Sequence, residues 1–242
     1  MKRYAFLDVI RSVAIINMII YHAIWDLVCI FGVRLQWYSS NTGYIWQQCI
    51  CWNFILLSGF CSVMGKRRLK RGVTVFICGL LVSVITLVAM PENRIIFGIL
   101  TLLGSCMLIA CFAENGLKRI NPWVGVFVLF ALFVLTKNIG NGFFGVGNIG
   151  IAMPEALYSN LFSAYIGFPP AEFYSTDYFP IIPWAFLFFT GYYLNKLFCR
   201  YSLMKYLDTR HIKVFGLISR NSLIIYMLHQ PVIYLILKGL SF

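Results

Sequence analysis

The chain has 242 residues, 60% of them hydrophobic and only 12% charged, whereas a soluble domain carries about a quarter charged. A water-soluble fold of this size has too little interior to hide so much apolar surface, so its solvent is lipid and a soluble globular protein is excluded. The net charge of +12 does not signal nucleic acid, because the basic residues stand in short runs between apolar stretches, where membrane orientation and anionic headgroups account for them.

Apolar runs near the ~20 residues that cross a bilayer lie at about 5–31, 44–65, 73–90, 94–114, 122–137, 180–199 and 216–238. They predict an all-α, polytopic transmembrane bundle of about seven helices forming one domain over 1–242. With the N-terminus in the cytoplasm, the inner segments hold Lys2, Arg3, the run 66–71 (KRRLKR), Lys118, Arg119, Lys196, Arg200, Lys205, Arg210, Lys213 and Arg220. That is 15 of the 20 basic residues, against Arg34, Arg94, Lys137 and Lys238 outside. The excess sets the N-terminus in the cytoplasm and the C-terminus outside it.

The first run reads as a helix, not a cleaved leader. It carries Arg11, His22 and Asp26, and no small-residue cleavage site follows. The eight cysteines lie mostly at membrane depth with no metal spacing, so no metal is expected and buried free thiols are. Cys29 stands near Cys49 and Cys51 at the outer ends of the first two helices, which leaves a disulfide open. In the long outer segment 138–179, residues 140–150 (GNGFFGVGNIG) match G-x-G-x-x-G twice. That motif grips phosphate only between a strand and a helix; after a membrane helix, on the outer side, it reads as a turn-rich loop. Residues 154–168, opened by Pro154 and rich in aromatics, predict an interfacial helix.

Ionisable groups at membrane depth are costly, so by default they face the protein interior and act there. On a 3.6-residue helix with His22 at zero, Arg11 falls at about −20° and Asp8 and Asp26 each near +40°. One polar stripe on an otherwise apolar helix faces a cavity, a substrate path or structural ion pairs. Arg11 lies about 16 Å below His22, near the cytoplasmic end. In the last helix Ser222, Tyr226 and His229 share a face, with His229 roughly 18 Å above its inner end. Asp177 enters from the outer loop just before 180–184 (PIIPW). Two histidines and one or two carboxylates are thus expected at one level from separate helices, while His211 sits among cytoplasmic basic residues. A histidine beside a carboxylate can take a proton from a hydroxyl or amine, or carry an acyl group itself. Arg11 and the run 66–71 suit phosphate binding. A proton-coupled transporter would use the same residue types, although the halves show no internal repeat.

Residues 7–11 (LDVIR), 18–22 (MIIYH) and Asp26–Leu27 resemble the opening of the bacterial heparan-alpha-glucosaminide N-acetyltransferase-like membrane proteins. The similarity continues at 57–59 (LSG) and 97–100 (FGIL), and is strongest at 177–184 (DYFPIIPW) and 222–231 (SLIIYMLHQP). The eleven-residue step from Arg11 to His22 also resembles the wider transmembrane acyltransferase superfamily. This chain has Ser12 where the family has glycine, and Thr101 where a histidine commonly follows FGIL. The resemblance implies acyl transfer from acetyl-CoA, as donor, to a sugar or glycan outside a cell membrane, in a multi-pass protein of the bacterial plasma membrane. It implies His22 as general base or acyl carrier, Asp26 and Asp177 orienting or polarising the site, and His229 as a second proton-transfer group. Arg11, Arg67, Arg68 and Arg71 would hold the donor phosphates, and Trp184, Ser222, Tyr226 and Gln230 would contact substrate. The expected partners are the lipid bilayer, acyl-CoA and the glycan acceptor, with a homodimer left open.

Overall fold

The computed structural model describes residues 4–208 and 212–240. Lys2, Arg3, Arg210 and His211, used above for orientation and solvation, lie outside the described residues. The chain is mostly helical. In order it forms α1 (Ala5–Trp25), continued by a π-helical turn Asp26–Ile30, then α2 (Asn41–Ser62), α3 (Arg68–Ala89), α4 (Ile99–Phe112) and α5 (Glu114–Leu117). There follow α6 (Pro122–Thr136), β1 (Phe143–Val146), β2 (Ile149–Ala152), α7 (Leu161–Ile166), α8 (Ile181–Arg200), α9 (Lys213–Arg220) and α10 (Ser222–Gly239).

Among the described residues, four segments are long and apolar enough to cross a bilayer: Ala5–Ile30, Arg68–Ala89, Pro122–Asn141 and Ser222–Gly239. Their outward faces carry exposed Val84, Val88, Phe127 and Leu235, a surface that only lipid or another apolar partner can cover.

Contacts divide the chain into two compact units, Met1–Phe54 with Ser202–Phe242, and Ile55–Tyr201. In the first, α1 packs against α9 and α10. The indole of Trp46 donates to Asn17 Oδ1 at 3.1 Å and ties the start of α2 to α1, and the Tyr21 ring sits against Tyr38 and Trp46.

In the second unit α3 packs along α4, α6 along α8, and α4 against α8. α8 is the central helix, with Leu187, Phe188, Tyr192 and Tyr193 almost wholly buried. Small residues let the backbones approach, as expected where lipid supplies no hydrophobic drive between helices. A Cβ on Gly59 would lie 1.8 Å from the Phe188 carbonyl oxygen, and one on Gly191 would lie 2.1 Å from that of Leu56. Glycine is therefore required where α2 crosses α8, which gives the LSG motif a packing role.

Several boundaries differ from the sequence expectation. The fourth helix begins at Ile99, not 94, because Phe97 takes a left-handed φ of +57°. The third starts earlier, at Arg68, so part of the basic run is its first turn. The last run is two helices, since Asn221 (φ −96°, ψ 14°) ends α9 before α10 begins. His229 is then seven residues from the start of its helix, about 10 Å, not 18. The glycine-rich loop is an antiparallel hairpin with Val146 opposite Ile149. Its Gly145 and Gly147 adopt φ of +148° and +58°, so the G-x-G spacing serves a strand and its turn. The expected helix at 154–168 is only a 3₁₀ turn, Glu155–Leu157, followed by α7. Asn160 and Ser163 form a reciprocal capping box that starts α7 late. All eight cysteines are free thiols.

Candidate functional site

The first unit brings together five of the residues selected by sequence. The His22 ring on α1 meets the His229 ring on α10 with centroids 4.9 Å apart at 62°. The Tyr226 ring lies 5.3 Å from that of His229. One turn beyond His22, Asp26 is fully buried and opens the π-helical turn, where the Phe31 amide reaches back five residues to the Asp26 carbonyl. Such single-turn widenings recur at functional sites. The Asp26 carboxylate accepts a short hydrogen bond from the Gln230 side-chain amide.

His229 Nδ1 lies 2.6 Å from the Tyr226 carbonyl. A carbonyl only accepts, so in the neutral ring Nδ1 carries the proton and Nε2 presents a lone pair. His229 Nε2, Asp26 Oδ2 and Gln230 Oε1 are buried with no hydrogen-bond partner among the described residues. All three are acceptors. Leaving such groups unpaired is costly, and a ligand bringing N–H or O–H donors would satisfy them.

At the other end of α1 the polar residues are joined to one another. Arg11 Nη1 donates to Ser219 Oγ at 3.2 Å, and Ser219 Oγ donates to Asp8 Oδ1 at 2.7 Å. Ser12 Oγ lies 2.8 Å from both the Asp8 carbonyl and the Phe215 carbonyl of α9. This half of the stripe locks α9 onto α1. Ser222 stands at the start of α10, one residue beyond the Asn221 break.

The remaining candidates belong to the second unit. Asp177 Oδ2 accepts from the Ile99 amide at 3.3 Å, at the N-terminus of α4. There the helix dipole favours a negative charge. Gly98 leaves room for it, since a Cβ there would lie 3.0 Å from Asp177 Oδ2. Phe179 N–H donates to the Phe97 carbonyl, and Ser175 Oγ accepts from the Ile96 amide, so the FGIL and DYFP motifs are bonded to each other. Burial pushes the Asp177 carboxyl up to about 6, against the opposing pull of the Ile99 amide. Trp184 packs between Phe133 and Phe179, with centroids at 5.5 and 5.0 Å.

The arginines divide. Arg71 donates to the Cys61 and Ser62 carbonyls and so closes the C-terminus of α2. Arg68 pairs with Glu114 at 2.8 Å, as does Lys118. These two cations hold the Glu114 carboxyl below the usual carboxylate range. Arg67 is exposed at the N-cap of α3.

Sequence reasoning missed Ser219, Glu114 and the hydrogen bond between Asp26 and Gln230. Only Glu114 had a signal, as an acid between two cytoplasmic basic runs. Among the described residues no three His, Cys, Asp or Glu side chains are placed to hold a metal.

Helices long and apolar enough to cross a membrane make this a multi-pass membrane protein, and its first unit holds a histidine pair one turn from a buried carboxylate. The profile of the heparan-alpha-glucosaminide N-acetyltransferase catalytic domain matches residues 3–231, and the chain belongs to that family. The family is one of acetyltransferases. No curated protein and no solved structure matches the chain.

Proposed function

We propose that the chain is an integral-membrane acyltransferase that moves an acetyl group from cytosolic acetyl-CoA to a sugar or glycan outside the cell membrane. In this reading it acts as one domain of seven crossings, with its N-terminus in the cytoplasm. The observation that carries it is the His22–His229 ring contact beside the buried Asp26–Gln230 pair, in a member of an acetyltransferase family.

Three unpaired acceptors suit an incoming nucleophile, whose O–H or N–H hydrogens they would hold. A histidine takes the proton as the acceptor oxygen or nitrogen attacks the thioester carbonyl. The C–S bond then breaks, and CoA leaves as a thiol with that proton. Alternatively His22 attacks the thioester first, the C–S bond breaks and CoA leaves as the thiol with the imidazole proton. The acyl-imidazole then passes its acetyl group to the acceptor, whose proton returns to the histidine. Asp26 stabilises the imidazolium, and Tyr226, Gln230 and Ser222 border the acceptor. Asp177 and Trp184 support the site by ordering their own unit. Among the cations, Arg67 is the clearest donor-phosphate ligand, because Arg68 and Arg71 have structural partners. Arg11 spends one of its five donors on Ser219.

Purified protein supplied with labelled acetyl-CoA tests this: CoA should be released and label should appear on glycan or, transiently, on protein. CoA that stays acylated with every acceptor would sink the reading.

A further inference from the structure

The β1–β2 hairpin has the wrong faces for water. Its register pairs Phe144 with Ile151 and Val146 with Ile149, and because strand side chains alternate, these four share one face. Ile149 and Ile151 are 85% and 65% exposed there, with Val146 half-exposed beside them. The other face pairs Phe143 with Ala152 and Gly145 with Gly150. An antiparallel pair that meets water on one side alternates apolar-in and polar-out, whereas neither face of this one carries a polar side chain. Residues 138–154 contain no charge at all. The Tyr158 hydroxyl donates to the Ile139 carbonyl and so ties the segment after the hairpin to the one before it. Next in the chain, α7 exposes Leu161 and Phe162.

Its position names what covers it. β1 packs against α6, which exposes Phe127 and Val128 in a segment apolar and long enough to cross a bilayer. Residues 137–142 alone separate the two elements, so the hairpin stands where α6 leaves the membrane. The open edge of β2 limits the depth, because its main-chain groups need water or headgroups, which hydrocarbon does not supply. A second copy pairing along that edge would leave the Ile149–Ile151 face uncovered, since side chains stand out of the plane in which strands pair. We propose that the hairpin is an interfacial anchor lying flat at the headgroup–acyl boundary, with Val146, Ile149 and Ile151 against acyl chains and the Gly147–Asn148 turn among headgroups. It holds the 138–179 segment to the membrane surface. The inference needs the membrane spans, but neither acetyl transfer nor a choice of side.

The test is spin-label accessibility on the full chain in nanodiscs of phosphatidylcholine and phosphatidylglycerol, with exposed native cysteines replaced. Ile149→Cys, Ile151→Cys and Glu155→Cys are labelled one at a time. Collisions with oxygen, which concentrates among acyl chains, are compared with those of a nickel chelate, which stays in water. The oxygen-to-nickel ratio at Ile149 and Ile151 should exceed that at Glu155 by about fivefold, as a buried apolar face requires. Equal ratios at the three positions overturn the anchor. So does protection of Ile149 from both reagents together with dipolar broadening that unlabelled protein dilutes away, the signature of a second copy on this face. A wild-type unfolding midpoint qualifies each labelled chain, and Val146→Cys, on the same face, stands in for one that fails.

Discussion

The Nδ1 of His229 sits 2.6 Å from the carbonyl of Tyr226, one turn earlier in the same helix. That bond fixes the proton on Nδ1 and leaves the buried Nε2 as a lone-pair acceptor with no partner among the described residues. The histidine is therefore set as a proton acceptor before any ligand arrives.

Replacing either histidine tests that arrangement. As a general base a histidine contributes about 10²–10⁴-fold to the rate, so His22→Ala and His229→Ala should each lower kcat by that order while acyl-CoA still binds. Glutamine keeps a hydrogen-bonding side chain but not the basicity. Near-normal turnover in His22→Gln would make His22 a packing residue and leave the role to His229.

Asp26 and Gln230 should separate chemistry from folding. Asp26→Asn keeps the shape and removes the charge, so acetyl transfer should fall at least tenfold with little change in thermal stability in detergent. Gln230→Leu leaves a buried carboxylate unpaired and should cost about 1–3 kcal/mol. A shift in the unfolding midpoint for Asp26→Asn matching that of Gln230→Leu would mark the pair as purely structural.

Asp177 gives a pH signature. Its folded carboxyl lies near 6 against 3.8 in a model peptide, so its contribution to stability is full below about pH 4 and is lost as pH rises through 6. The difference is of the order of 2–3 kcal/mol. Asp177→Asn should flatten stability between pH 4 and 6 and raise the midpoint at pH 7. A wild-type midpoint that rises across this window would contradict the assignment.

Donor binding should be read at Arg67, which is exposed. Arg67→Gln should weaken acetyl-CoA several-fold without unfolding the protein. Glu114→Gln, which removes the acid shared by Arg68 and Lys118, should tighten it. The opposite pattern, in correctly inserted protein, would move the donor site elsewhere.

Orientation is checked by thiol labelling in a background with exposed native cysteines replaced. Asn148→Cys at the hairpin turn should react with an impermeant reagent from outside, and Lys66→Cys should not.

The polar stripe of α1 was legible because lipid makes each ionisable residue conspicuous and the 3.6-residue period puts His22 and Asp26 on one face. The meeting of His22 and His229 was expected from a shared depth, although the break at Asn221 shortens the rise from the start of α10 to His229 to about 10 Å. The π-helical turn at Asp26 was not legible, because moving a main-chain bond by one residue needs no special side chain. Nor was the break at Asn221, where neither proline nor glycine interrupts the apolar run. Asp177 was placed in the outer loop just before the start of α8, but its bond to the Ile99 amide depends on Phe97 adopting a positive φ, which a large apolar residue does not advertise. The hairpin was read only as a turn-rich loop, because its two strands are four residues each and carry glycine.

The contacts between α1 and the α9–α10 pair act as two rivets along parallel rods. Ser219 pins one end to Asp8 and Arg11, and Gln230 pins the other to Asp26. With both in place, α10 can neither slide nor spin against α1, so the spacing between the two imidazoles is set from both ends. The link at Asn221 is then a measured spacer. One residue inserted there would turn α10 by about 100° relative to the Ser219 pin and carry His229 off the face that meets His22, although both helices stayed intact. The chain's tolerance for added length, generous at the hairpin turn, should vanish at this single joint.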